Sequence, residues 1–131
     1  MTILIGYIPS PLGEAALDRA IDEAKAHHTD LLVLNFVRGE GDQENVHISD
    51  DQTAALSERI EASGVTCTIR RERATHQPGD EILATAEEID AELIIIGLRR
   101  RSPTGKLLFG STAQHVLLGA RCPVLAVKTS G

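Results

Sequence analysis

Tryptophan is absent from the chain, and Tyr7, Phe36 and Phe109 are its only aromatic residues. The core is therefore expected to be aliphatic, and there are few platforms on which nucleic-acid bases could stack. Cysteine is equally scarce. Cys67 and Cys122 stand far apart without CxxC or Cys/His spacing, so they read as small buried hydrophobes and neither a metal site nor a redox pair is expected. No apolar run approaches the roughly 18 residues of a membrane span. The opening MTILIGYI has neither the basic flank nor the cleavage site of a signal peptide, so a cytoplasmic protein without membrane contact is expected.

The most informative absence is positional. All nineteen Asp and Glu residues lie at or before Glu92, which leaves a formal charge of −12 on residues 1–92 and +6 on residues 93–131. That asymmetry points to an anion handled by the last third, while the net charge of −6 would repel a polyanion, so nucleic acid is not an expected partner. With 131 residues, the chain has the length of one domain, taken as 1–131, and no repeat or linker divides it.

What is present alternates between two patterns. ILIGYI (3–8), LLVLNFV (31–37), LIIIG (93–97) and PVLAV (123–127) are apolar runs with strand character, and VTCTIRRER (65–73) is a less buried one. Between them, helices are expected from Gly13 to His27, from the capping box SDDQ at 49–52 to Gly64, from Pro78 through Ile89, and over STAQHVLLGA. Strands that are apolar throughout need cover on both faces, and these helices are long enough to be crossovers. A parallel, doubly wound α/β sheet of five strands follows, with ligands expected beyond the carboxyl ends of the strands.

The stretch GLRRRSPTGKLLFGST at 97–112 leaves such an edge. Gly97 and Gly110 allow close approach of a ligand to the backbone, and Ser111 and Thr112 open a helix whose free N–H groups suit a phosphate. The alternative is a solvated basic loop in which Ser111 only caps its helix. TGK at 104–106 is not a P-loop, because Leu107 follows the lysine.

From AELIIIG onward, with GLRRRSPTGKLLFGSTAQHVLLGARCPVLAVK, the chain resembles the universal stress proteins, whose ATP-binding members carry G-x2-G-x9-G-[ST] after the fourth strand. ILIGYIPSPLGEAALDRAI resembles the first strand and helix of that family. The resemblance implies a Rossmann-like sheet of strand order 3-2-1-4-5. It also implies a homodimer through the fifth strand, here Pro123, Val124, Leu125, Ala126 and Val127, and ATP as ligand, with Mg. Carried over by position, Gly97, Gly110 and Ser111 match the phosphate motif, with Arg99, Arg100 and Thr112 beside them. Tyr7, Ile8, Pro9, Ser10 and Phe36 fall at the adenosine end. Two departures stand out. Arg100 replaces the second glycine, where it either fills the pocket or supplies a cation, and Ile8-Pro9-Ser10 replaces an Asp-Gly-Ser-like turn.

No base, nucleophile or metal cluster is visible. His27 and His28 end a helix, His47 and His76 lie in polar loops, and His115 follows the motif, none at metal or triad spacing. A nucleotide-binding stress-response module that binds without turnover is the leading expectation. A non-nucleotide dimeric interaction protein is the second, and a slow ATPase the third.

Overall fold

The computed structural model describes residues 1–38, 48–74, 77–98 and 111–128 and, for 36–38, 73–74 and 111, the backbone alone. Along the chain run β1 (Thr2–Gly6), α1 (Pro11–His27), β2 (Asp30–Arg38), α2 (Asp50–Ala62), β3 (Cys67–Ala74), α3 (Pro78–Glu88), β4 (Leu93–Leu98), α4 (Ser111–Gly119) and β5 (Val124–Lys128). The strands form one sheet in the order β3-β2-β1-β4-β5, every pair parallel.

Alternation along the strands divides the core into two layers. Ile3 and Ile5 of β1, Val33 of β2 and Ile95 of β4 face the layer closed by α1 and α2. Leu4, Leu34, Ile94 and Ile96 face the layer closed by α3 and α4. Each fully buried Leu or Ile side chain stabilises the fold by about 1.5–3 kcal/mol before cavity effects. The connections through α1 and α2 step leftwards across the sheet and those through α3 and α4 rightwards, which places the two pairs on opposite faces when all crossovers are right-handed. The order of strands thus reverses between β1 and β4.

Local chemistry sets the helix ends. Ser49 and Gln52 form the expected capping box, with Gln52 N–H on Ser49 Oγ at 3.1 Å and Ser49 N–H on Gln52 Oε1 at 2.8 Å. Asp50 and Asp51 lie in the first turn, where carboxylates suit the helix dipole. α1 begins two residues earlier than its apolar periodicity indicates. Pro11 occupies the first turn and Ser10 is the cap, its hydroxyl accepting the Gly13 N–H at 3.0 Å. PSP is therefore a helix entrance as well as a strand stop. At the far end His28 takes the left-handed conformation (φ 53°) that closes α1.

Edge strand β3 carries its charge outward in pairs: Arg70 meets Glu88 at 2.7 Å and Arg71 meets Asp50 at 2.8 Å. Cys67 and Cys122 are half-buried free thiols, and burial raises the pKa of both. They behave as the small hydrophobes expected, with little thiolate character.

Candidate functional site

The carboxyl ends of β1 and β4 lie side by side at the reversal of strand order, where an open parallel sheet forms a crevice. The turn after β1 supplies Tyr7, Ile8, Pro9 and Ser10; β4 supplies Gly97 and Leu98; α4 starts at Ser111. Arg99, Arg100 and Gly110 lie outside the described residues, as does the side chain of Ser111. Thr112 is half-buried in the first turn of α4. Phe36 sits on β2 opposite Glu72 of β3, and its side chain is not among those described.

The turn after β1 is drawn tightly onto α1. A Cβ on Gly13 would stand 1.9 Å from the Ile8 carbonyl oxygen, so only glycine allows this approach of strand end to helix start. Ile8 itself is 45% exposed. Gly97 is close-packed in a different way. A Cβ there would fall 2.7 Å from Leu12 Cγ, so the leucine of the first α1 turn occupies the space a side chain would take. Neither Leu12 nor Gly13 is singled out by sequence motifs: Leu12 matters through its contact with β4, and Gly13 through the close return of the chain onto Ile8.

Tyr7 contributes to the crevice through its backbone. Its ring is buried in the α1/α2 layer, and its hydroxyl donates to Glu14 Oε1 at 3.0 Å. Burial first, and then the hydrogen bond to Glu14, push the Tyr7 pKa up to about 12, so the phenol remains a donor at neutral pH. Arg59 of α2 completes the group, reaching Glu14 at 2.8 Å and Asp18 at 2.7 Å. The hydrogen bond to Glu14 is the largest influence raising the Arg59 pKa.

Asn35, which sequence reasoning passed over, holds the adjoining end of β2. It is 0% exposed, and its amide donates to the Tyr7 carbonyl at 2.9 Å and accepts the Ile48 N–H at 3.2 Å. Arg71 donates to the Ile48 carbonyl at 3.3 Å. The ends of β1 and β2 and the approach to α2 are thereby tied to one another. The signal was a lone polar residue in the run LLVLNFV, since a buried amide in a central strand must find partners.

Sequence spacing also passed over a contact beside the start of α4. His115 Nε2 lies 2.5 Å from Asp80 Oδ1 of α3. Among the described residues there is no group of three or more His, Cys, Asp or Glu side chains placed to hold a metal, and no helix is long and apolar enough to cross a membrane.

Comparison with known proteins agrees with this geometry. The profile of the universal stress protein family matches residues 1–128. A universal stress protein from Mycolicibacterium smegmatis is 39% identical over 129 residues, covering 98% of each chain. Among solved structures, a universal stress protein from Archaeoglobus fulgidus superimposes with a TM-score of 0.84 at 32% identity, covering 98% of each chain. Another from the same organism, in complex with dAMP, does so with a TM-score of 0.70 at 26% identity and the same coverage.

Proposed function

Because the chain belongs to the universal stress protein family, we propose that it binds an adenine nucleotide at the carboxyl edge of its sheet and acts by binding. The observation that carries this reading is the meeting of β1 and β4 at the reversal of strand order, with the amino end of α4 following β4. The dAMP complex of the Archaeoglobus fulgidus relative supports it. In this reading ATP is the ligand. Its phosphates lie along Gly97, Arg99, Arg100 and Gly110 to Thr112, and its nucleoside lies against the backbone of Tyr7 to Ser10 and near Phe36. Mg would accompany the triphosphate and neutralise part of its charge. The acid-free stretch after Glu92 favours such an anion, because no carboxylate near in sequence competes for the arginines. The protein would serve as a cytoplasmic stress-response module.

A second reading, a dimeric interaction protein that takes no nucleotide, is favoured by Leu12 filling the space over Gly97 and by Ile8 standing where a polar partner for a nucleoside would be useful. Mass spectrometry of small molecules released from gently purified protein separates the two. Adenine nucleotide in the released fraction supports the first reading. Protein that is empty as purified, and remains empty after incubation with ATP, overturns it.

The homodimer is proposed in both readings. β5 pairs with β4 on one side, and the sheet order places it at an edge. Val124, Leu125, Ala126 and Val127 are only partly covered. A twofold mate would remove this apolar pairing edge. Sedimentation at tens of micromolar, roughly the range in which a stable interface persists, is expected to give a dimer; a monomer would refute the pairing.

A further inference from the structure

We propose that Asp80 and His115 form a clasp that sets the amino end of α4, and so act as positioning residues for the phosphate-bearing end of the ligand. This rests on the nucleotide reading above.

α4 has nine residues, too few to hold a helix by itself in water. Ala113 and Val116 anchor it in the α3/α4 layer, at 5% and 0% exposure. Anchors on one face leave the rotation and tilt of the helix to be fixed by its flank. That flank is α3. Two glycines let the helices meet closely: a Cβ on Gly79 would stand 2.9 Å from His115 Cβ, and a Cβ on Gly119 would stand 2.7 Å from Leu83 Cδ1. Both contacts advance by one helical turn, 79 to 83 and 115 to 119, as parallel helices in register require.

The Asp80–His115 pair closes the end of this seam nearest the crevice. Asp80 is in the first turn of α3 and His115 is one turn into α4. A carboxylate can only accept, so the imidazole donates through Nε2 to Oδ1 across 2.5 Å. The contact satisfies an acid near the anion crevice and prevents the amino turn of α4 from pivoting about Val116. Both side chains are nearly half exposed, at 46% and 48%, so the pair adds little to global stability. Its effect is local.

The test is made on α3, which leaves the sequence of α4 intact. Asp80→Ala removes the acceptor, and Asp80→Asn retains one. Hydrogen exchange of the ligand-free protein reads the clasp itself. The amides of His115 and Val116, in the amino half of α4, are expected to exchange about twofold to fivefold faster in Asp80→Ala and to return towards wild-type rates in Asp80→Asn. Calorimetry then reads its use: ATP affinity should fall by a similar factor in Asp80→Ala, while adenosine affinity is unchanged. Exchange at His115 and Val116 unaffected by Asp80→Ala would overturn the clasp. Equal losses for ATP and adenosine would overturn its role towards phosphate. If the wild type takes no nucleotide, the nucleotide reading and the clasp's proposed role fail together, and exchange still decides whether the clasp exists.

Discussion

Asn35→Ala is expected to lower stability by about 3–5 kcal/mol, the largest loss of any single polar substitution described, and to lower the melting temperature by roughly 10–20 °C. The side chain is wholly buried and serves two backbone groups from separate segments, the Tyr7 carbonyl and the Ile48 N–H. Alanine leaves both groups without this partner in a site water does not readily enter, at about 1–3 kcal/mol for each unsatisfied group, and adds a small cavity. The loss is local as well as global, because the same two bonds hold the ends of β1 and β2 together. Urea unfolding checks the magnitude. An unfolding free energy within about 1 kcal/mol of wild type would mean that other groups hold these ends together.

Gly97→Val is expected to weaken ATP binding by tenfold or more, at a stability cost of about 1–3 kcal/mol from overpacking. All three outer carbons of Leu12 lie within 3.2 Å of the point where a Cβ would appear. A branched side chain therefore displaces Leu12, and with it the first turn of α1 and the Ile8 to Ser10 turn that Gly13 holds close. Adding Leu12→Ala should restore stability by clearing this overlap. It should not restore ATP binding, because the valine still covers the end of β4 along which the phosphates are proposed to run. Recovery of affinity in the double variant would show that Leu12, and not the open backbone of Gly97, governs the crevice. Thermal unfolding and calorimetry on the two variants separate these outcomes.

The contrast between Asn35 and Leu12 marks how far the sequence could be read. Strand runs such as LLVLNFV and LIIIG report burial on both faces directly. With helical periodicity between them, they specify a doubly wound parallel sheet before any contact is known. Its strand order came from the resemblance to the family and matches the observed β3-β2-β1-β4-β5. Caps were legible wherever they are written in adjacent residues, as in Ser49 with Gln52.

What could not be read depends on side-chain direction or on elements brought together by folding. Tyr7 was expected at the adenosine end. Its backbone follows the carboxyl end of β1, while its ring turns into the α1/α2 layer, a direction fixed by Glu14 and the packing around it. The space of the missing Cβ of Gly97 is filled by a leucine eighty-five positions earlier, a contact the glycine alone does not announce. The Asp80–His115 contact spans thirty-five positions and joins helices from different crossovers. No local pattern encodes such a meeting.

The charge asymmetry and the Gly97 to Thr112 stretch carry the central claim, that an adenine nucleotide is held at the carboxyl edge. Titration calorimetry of the wild-type protein with ATP and with adenosine, beside Arg100→Gly with the same ligands, tests it most directly. Saturable ATP binding between about micromolar and millimolar is expected, tighter than adenosine because the basic stretch and the start of α4 engage phosphate. Arg100→Gly is expected to lose affinity for ATP more than for adenosine, the signature of an arginine that donates to the phosphates. Absence of ATP binding by both proteins at millimolar concentration, roughly the weak limit of a specific site, would contradict the account and leave Ser111 as the start of a helix with no anion to hold.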